Sequence, residues 1–339
     1  MALKENSVCP TREIIVCMKA IALTSFGGPE VLDYVTLPDP ELRDSSVLVS
    51  VEAAGINFID TYQRRGKYTA EFPFVPGFEG AGTVLKVGAG VHGIQTGDRV
   101  AWPWVLNSYA ERVAVPAESL VTVPDFVTTR AAAAVMLQGL TAHYLTHDSF
   151  SIQPGTTALV HAGAGGTGQI LTQVIRALGG SVISTVSSAA KAEIARAAGA
   201  NHVVRYDTED FVAAVERLTD GAGVHVIYDG VGQDTMSKGL DALARRGTMV
   251  YFGAASGPAD PLDLQILSSK GSLTVTKPTL ADFITTHDET QYRADGIFAL
   301  IRDGGITPRV GATYALSDAA SAHRDLESRS TTGKLLLIP

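Results

Sequence analysis

One short segment restricts the possible folds of this chain more than any other. Residues 156–168 read TTALVHAGAGGTG, an apolar run that leads into a glycine-rich turn, and a helical pattern, GQILTQVIRALG, begins where the glycines end. Strand, glycine turn and helix in this order indicate a unit of a parallel α/β sheet. Gly163, Gly165 and Gly168 fit the spacing G-x-G-x-x-G, whose glycines permit a tight turn, admit a pyrophosphate against bare backbone and let helix and strand pack closely.

The same turn predicts a dinucleotide site. The backbone N–H groups of Gly166, Thr167 and Gly168 open the helix, where they would hold phosphates. A glycine turn alone is a weak signal, because such turns also occur in α/β proteins that bind nothing. Here the strand before the turn and the helix after it strengthen the prediction.

Composition indicates a soluble chain with a sizeable core. The 339 residues are 45% hydrophobic and 18% charged, and they are enough for two domains. The longest apolar stretch, Ala131 to Leu137, is far shorter than the roughly 18 residues of a membrane span. With no secretory h-region either, we expect a cytoplasmic protein. A net charge of −8 disfavours nucleic acid as a partner.

Both cysteines, Cys9 and Cys17, precede Met18, where a natural-looking strand, MKAIAL, begins. The chain after Met18 therefore has no disulfide, thiolate nucleophile or Cys-ligated zinc. Residues 1–17 are predicted to be a disordered N-terminal extension without a functional role.

Two patterns divide the rest of the chain. Short strands separated by Gly and Pro turns fill residues 18–124 and indicate a compact, mostly antiparallel, barrel-like domain. Strands and helices then alternate, with helices at Ala189–Ala198, Glu209–Leu218 (capped by Asp207 or Thr208) and Thr235–Leu243, which indicates a doubly wound parallel sheet. We place this Rossmann-type domain at 138–280, and the other at 18–137 with 281–339, which contains helices near Tyr292–Arg302 and Ser317–Ser328.

The chain from Met18 onwards resembles the quinone oxidoreductase branch of the medium-chain dehydrogenase/reductase superfamily. The resemblance rests on the glycine loop and on residues 27–32 (GGPEVL), 55–62 (GINFIDTY), 66–68 (GKY), 97–100 (GDRV), 226–232 (VIYDGVG) and 326–333 (LESRSTTG). It implies a GroES-like β-barrel domain beside the Rossmann domain, hydride transfer from NADPH to quinones, and a homodimer formed through the nucleotide-binding domain. We predict that residues 272–278 (SLTVTKP) pair with their copy at the sheet edge.

The resemblance also implies that no metal is needed. Zinc-dependent alcohol dehydrogenases of similar fold have a cysteine where this chain has Asn57 and a histidine where it has Phe78, before Glu79. His143 and His147 are four residues apart on a presumed helix, but no third ligand is evident, so we interpret them as a solvated helix face. His161 is interpreted as a packed strand residue with a satisfied imidazole.

Candidate catalytic residues are Asn57, Tyr62 and Tyr68. Asn57 can bond a ribose hydroxyl or an acceptor carbonyl, or can simply be a turn residue. The two tyrosines can donate to a quinone oxygen while their rings stack on it, or can be ordinary half-buried aromatics. Asp60 is expected to pair with Arg64 at helical spacing.

Cofactor choice is predicted from a missing acid. In NAD enzymes an acidic residue about 20 positions beyond the glycine motif holds the ribose 2′-hydroxyl, whereas the second strand here ends in Ser187 and is followed by Lys191. By resemblance, Tyr206 and Arg329 complete a 2′-phosphate pocket, so NADPH is expected. The nicotinamide side is assigned to Asn57, Gln138 (a lysine in some relatives), Phe252, Gly253 and Ala254, and Thr141 and Gly230 are further candidate cofactor-binding residues. Asp229 is either a ligand residue or a turn acid.

The sequence alone is compatible with three functions. The first is NADPH-dependent quinone reduction, and the second is reduction of α,β-unsaturated carbonyls, which needs the same hydride and a proton donor. The third is a nucleotide-binding protein without turnover, of the crystallin or RNA-binding type. The acidic net charge and the lack of a Lys/Arg stripe count against RNA.

Overall fold

The structure is a computed structural model and describes residues 17–339. The predicted disordered extension lies outside the described residues except for Cys17. That residue opens the first strand, so the extension ends at least one residue earlier than expected.

The first part of the described chain alternates between short strands and turns, as predicted. Its elements are β1 (Cys17–Ala22), β2 (Asp33–Pro38), β3 (Ser46–Ile56), α1 (Phe58–Arg64), β4 (Glu79–Val87), β5 (Arg99–Trp102), β6 (Arg112–Pro116) and β7 (Val121–Thr122). β3 is central and pairs antiparallel with both β4 and β6. Val47, Val49 and Val51 are buried in the core of this domain, since alternate side chains of a strand share one face.

Helix α2 (Thr129–Tyr144) connects the two parts of the molecule. Thr128 caps it by accepting a hydrogen bond from the amide of Ala131. The helix packs against β3, β4 and β5 on one side and against the first helix of the parallel sheet on the other. The predicted domain boundary between residues 137 and 138 lies inside α2.

Residues 157–276 form the predicted parallel sheet with its helices. The elements are β8 (Thr157–Val160), α3 (Gly166–Ala177), β9 (Ser181–Val186), α4 (Ala189–Ala197), β10 (His202–Arg205), α5 (Phe211–Leu218), β11 (Val224–Asp229), α6 (Met236–Gly239), β12 (Leu243–Tyr251), α7 (Gln265–Ser269) and β13 (Thr274–Thr276). The strand order is β10-β9-β8-β11-β12-β13 and every neighbouring pair is parallel. The order reverses between β8 and β11, and ligands of such sheets bind at the carboxyl ends of the strands beside this point.

Two helices of this domain differ from their predicted bounds. α5 is capped by Asp210, whose carboxylate accepts from the amides of Val212 at 2.8 Å and Ala213 at 3.1 Å, so the prediction of Asp207 or Thr208 as the cap is wrong. α6 ends at Gly239 because Leu243, the expected helix end, already pairs with Val224 in the sheet.

The C-terminal part returns to the first domain, as predicted. It contains α8 (His287–Arg302), β14 (Val310–Ala315), α9 (Ala319–Glu327) and β15 (Lys334–Ile338). β15 lies between β14, which is parallel to it, and β3, which is antiparallel. α8 begins before the expected Tyr292 because Thr286 accepts a hydrogen bond from Glu289 and caps it there. None of the helices in residues 17–339 is long and apolar enough to cross a membrane.

Candidate active site between the two sheets

The glycine loop joins β8 to α3 beside the reversal of strand order. Its left-handed residue is Ala162, with φ +54°, so the tight turn does not use the backbone freedom of Gly163. Gly163 is needed for space, because a Cβ there would overlap the hydroxyl of Ser184. Gly168 likewise faces the carbonyl of Ala162.

The first turn of α3 offers backbone donors to an anion. Gly165 precedes the helix and no side chain caps it. The amide of Gln169 bonds the carbonyl of Gly165 at 3.0 Å, so the amides of Gly166, Thr167 and Gly168 precede the helical hydrogen-bond ladder. Uncapped amides at a helix N-terminus suit the phosphates of a dinucleotide.

Two cationic residues meet at the end of β9. Lys191, in the first turn of α4, donates through Nζ to the backbone carbonyl of Arg329. The guanidinium of Arg329 bonds the carbonyl of Ala255 at 3.3 Å and lies 3.5 Å from the carboxylate of Asp234. Burial, and to a lesser extent Arg329, lower the pKa of Lys191. An added anion would relieve this repulsion between like charges.

Ser187 and Tyr206 follow two neighbouring strands of the parallel sheet, β9 and β10. Ser187 is half-buried directly after β9. Tyr206 follows β10, is 53% exposed, and lines an open groove of about 330 Å³ together with Phe211 and Lys238.

The turns after β11 and β12 form the next part of the site. Asp229 is fully buried, and its carboxylate accepts from the amides of Val231 at 2.7 Å and Gly232 at 3.0 Å, which is the role of a turn acid. Gly230 leaves room for the ring of Phe252. Phe252, Gly253 and Ala254 follow β12 directly, at the carboxyl edge of the sheet.

Asn57 lies at the centre of a buried polar network. Its side-chain nitrogen donates to Glu79 Oε2 at 2.7 Å, and its Oδ1 accepts from Lys334 Nζ at 2.8 Å and from Gln138 Nε2 at 3.3 Å. Lys334 also forms an ion pair with Glu79. Thr141, one turn beyond Gln138 on α2, is buried too. The structure thus brings the predicted Asn57 and Gln138 together.

The sequence interpretation missed Lys334 and Glu79 as functional candidates. The available signal was a charged residue at the start of an apolar strand, since Glu79 opens β4 and Lys334 opens β15. Such residues are seldom buried without a partner, but the sequence does not show that the two strands meet around Asn57.

A second buried network begins at Asp60. Its carboxylate accepts from the amide of Asn57 and from the hydroxyl of Tyr109, each at 2.8 Å, and burial raises the pKa of Asp60 to about 7. Arg64 is paired with Glu327 at 2.7 Å, so the predicted Asp60–Arg64 pair is wrong. Arg64 reaches Glu327 because its helix, α1, packs against α9, which contains Glu327.

The two tyrosine candidates differ in exposure. Tyr62 is half-buried, its hydroxyl faces the backbone of Ala254 without a well-formed hydrogen bond, and burial raises its pKa to about 12. The ammonium of Lys67 lies 4.3 Å from the centre of the Tyr62 ring. Tyr68 is 50% exposed. Tyr62 is therefore the candidate that faces the second domain.

The histidines do not behave as the sequence predicts. His143 is buried and stacks on His147 with ring centroids 4.1 Å apart, so the prediction of a solvated face is wrong for His143. Burial lowers its pKa to about 3. His161 bonds Thr185 through Nδ1 at 2.8 Å, but its Nε2 has no partner, so only one of the two imidazole nitrogens is hydrogen-bonded.

In residues 17–339, no group of three or more His, Cys, Asp or Glu is placed to hold a metal.

A glycine-loop Rossmann sheet joined through one helix to an antiparallel β domain defines a medium-chain dehydrogenase/reductase. Family models agree: the alcohol dehydrogenase GroES-like domain matches residues 43–147, and the zinc-binding dehydrogenase model matches residues 166–294.

Relatives narrow the assignment within this class. The chain is 44% identical to a quinone oxidoreductase of Pseudomonas aeruginosa, over 95% of this chain and 99% of the relative, and 38% identical to a 2-haloacrylate reductase of Burkholderia, over 92% and 96%. The structure of Escherichia coli quinone oxidoreductase complexed with NADPH superposes with a TM-score of 0.92 at 42% identity, covering 95% of this chain and all of the other. The chain belongs to the quinone oxidoreductase family of medium-chain dehydrogenases/reductases.

Proposed function

We propose that this protein reduces quinones by hydride transfer from NADPH. The observation that carries the proposal is the pair Lys191 and Arg329, two cations that meet beyond β9 where an NAD enzyme would carry an acid. It is supported by relatives named as quinone oxidoreductases, one of them solved with NADPH.

The residues present suit this cofactor. The uncapped amides of Gly166, Thr167 and Gly168 would hold the pyrophosphate, and Lys191 and Arg329 the 2′-phosphate, with Ser187 and Tyr206 beside them. When bound, the nicotinamide supplies the hydride. The protein has only to orient the two reactants and exclude water, so no catalytic triad is required.

On the acceptor side, we assign orienting roles to Tyr62 and Tyr68. Tyr62 has a buried hydroxyl without a well-formed hydrogen bond, which suits a donor kept for a quinone oxygen. Tyr68 is exposed enough to pack against a planar acceptor from outside. Phe252, Gly253 and Ala254 would close the nicotinamide side.

We propose that the reaction needs no zinc. Phe78, at the position of a ligand histidine in the zinc-dependent relatives, packs against Trp104 with the rings tilted by 33° and their centroids 4.9 Å apart. Both ends of the Asn57 amide, and the carboxylate of Glu79, are engaged by protein groups that include the ammonium of Lys334. An ammonium at this place is not a metal ligand, and phenylalanine cannot be one.

Reduction of activated alkenes is the second candidate, and the similarity to 2-haloacrylate reductase favours it. The experiment that separates the candidates is a steady-state screen with NADPH and NADH across ortho-quinones, para-quinones and enones. Turnover of quinones at a kcat/KM at least about tenfold above that of enones supports the proposal, a difference of about 1.4 kcal/mol in transition-state binding. Turnover of enones alone favours the second candidate, and no turnover favours a binding protein.

We further propose a homodimer formed at the edge of the parallel sheet, and a cytoplasmic location. β13 is the last strand of that sheet and pairs only with β12 within the described chain. Leu273, directly before β13, and Val275 within it alternate with Thr274 and Thr276, and an open edge of this kind can pair with a copy of itself. Light scattering at micromolar concentration should give twice the mass of one chain, and a monomer would contradict the proposed dimer.

A further inference from the structure

Lys334 places a positive charge inside the protein. Its side chain is 2% exposed, and that of its partner Glu79 is fully buried. A buried ion pair is weak evidence for a stabilising role, because removing both charges from water costs about as much as their attraction returns. An apolar pair of similar volume would serve stability at least as well. The position of this pair beside the proposed hydride-transfer site suggests a different role.

The pair fixes the orientation of Asn57. An ammonium can only donate hydrogen bonds and a carboxylate can only accept them. Lys334 at 2.8 Å therefore selects Oδ1 of Asn57, and Glu79 at 2.7 Å selects the side-chain nitrogen. Gly55 of β3 makes room for the arrangement, since a Cβ there would overlap both the Glu79 carboxylate and the Lys334 side chain.

Asn57 in turn orients Gln138. Because Oδ1 of Asn57 accepts from Gln138 Nε2 at 3.3 Å, the carbonyl oxygen of the Gln138 amide points away from the network. That oxygen is buried without a hydrogen-bond partner and lies over Gly166, where a Cβ would overlap it. Gln138, Gly166 and Lys334 line one small cavity. A buried acceptor without a partner, at the first residue of α3, suits a hydrogen-bond donor from a ligand.

We propose that Lys334 is a positioning residue of the hydride-transfer site. Its ammonium, together with the Glu79 carboxylate, sets the amide of Asn57, and Asn57 sets the amide of Gln138 so that Oε1 accepts from a hydroxyl or amide group of the bound nicotinamide ribonucleoside. The inference rests on the proposed function.

The test uses a charge-neutral pair of substitutions in the full-length protein. Lys334→Met together with Glu79→Gln removes both charges while keeping similar volumes, so the variant is expected to fold. Loss of the fixed orientation should lower kcat for quinone about tenfold at saturating NADPH, whereas the Kd of NADPH, measured by its fluorescence, should change by less than about threefold because the phosphate contacts remain. Lys270→Met, which removes an exposed ion pair with Asp241, is the matched control and should leave both constants unchanged.

A coupling measurement separates positioning from mere stability. Gln138→Ala alone should give a similar loss in kcat, and adding it to the Lys334→Met/Glu79→Gln variant should cause little further loss, because the three residues act through one contact. Additive losses, or a neutral-pair variant with wild-type kcat and KM, would overturn the inference. A wild-type protein that binds NADPH but reduces none of the quinones would instead overturn the proposed function.

Discussion

Lys191 and Arg329, 138 residues apart in sequence, meet through a hydrogen bond from the lysine ammonium to the arginine backbone carbonyl. The contact joins the first turn of α4 to the segment between α9 and β15, and therefore links the Rossmann sheet to the chain that returns to the first domain. The only carboxylate paired with either residue in the described chain is Asp234, 3.5 Å from Arg329. The site therefore has an excess of positive charge where the 2′-phosphate is proposed to bind.

Replacing Lys191 with alanine should raise the KM for NADPH by at least about tenfold, because a charge-assisted hydrogen bond contributes roughly 1.5 to 3 kcal/mol. The KM for NADH should hardly change, since that cofactor has no 2′-phosphate. Steady-state kinetics with both cofactors would measure the difference in KM, with Lys270→Ala, a lysine paired with Asp241 at the surface, as the control. Equal losses with both cofactors, or a wild-type preference for NADH, would show that the phosphate site lies elsewhere.

Tyr62→Phe should lower kcat/KM for quinones without lowering the melting temperature. The hydroxyl of Tyr62 is buried without a well-formed hydrogen bond, so its removal costs the folded state nothing. Losing one orienting bond to a neutral acceptor should cost about 1 kcal/mol, less than tenfold in rate. Tyr34→Phe, on an exposed ring of β2, controls for the substitution itself. If Tyr62→Phe and Asn57→Ala both leave quinone turnover unchanged, these residues do not line the site.

Asp60 should make the stability of the protein depend on pH. Burial, with a smaller contribution from Glu79, raises the pKa of Asp60 from 3.8 to about 7, against the hydrogen bonds from Asn57 and Tyr109 and the charge of Lys334. Between about pH 4 and pH 7 the folded state binds more protons at this carboxyl than the unfolded chain does. The stabilising contribution is therefore complete below pH 4 and is lost as the pH rises to 7.

Asp60→Asn removes this titration. The melting temperature of the variant, relative to wild type, should therefore rise between pH 5 and pH 8, as measured by thermal unfolding at each unit of pH. Asp33→Asn, at an exposed carboxylate, should show no such trend. A relative melting temperature for Asp60→Asn that stays constant over this range would contradict the shifted pKa.

Zinc should be neither bound nor required. The chain after Met18 has no cysteine, and Phe78 stands where the zinc-dependent relatives have a histidine. Elemental analysis of the purified protein should find far less than one zinc per chain, and chelators should leave quinone turnover intact. Stoichiometric zinc together with loss of activity on chelation would refute this expectation.

Local patterns in the sequence were enough to predict the two-domain architecture. The helical spacing of four apolar residues on α3, and the glycines before them, are short-range signals. The structure confirms the helix and buries these residues, which are Ile170, Leu171, Val174 and Ile175. The cap of α5 was misplaced by two or three residues, because Asp207, Thr208 and Asp210 are all good caps and only the geometry distinguishes them.

The buried networks could not be derived in the same way. Lys334 and Asn57 are 277 residues apart, and their contact depends on the pairing of β15 with β3. The Asp60–Arg64 spacing predicted a local ion pair, whereas each residue has a stronger partner from a distant element, Tyr109 for Asp60 and Glu327 for Arg64. Side-chain partners of this kind follow from tertiary packing, which the local pattern of residues does not encode.

The place of β15 between β14 and β3 also bears on the order of folding during synthesis. All six strands of the parallel sheet have been synthesised once residue 276 has been made. The pairing of β3 with β15, in which Leu335 lies opposite Ile56, can form only after the C-terminal strand has been synthesised. Pairings this distant in sequence form late. A ribosome-stalled chain with only residues 1–325 outside the exit tunnel should therefore protect β8 and β11 from protease, while residues 54–56 of β3, which still lack β15, are cleaved more readily. Equal protection of these segments would contradict that order.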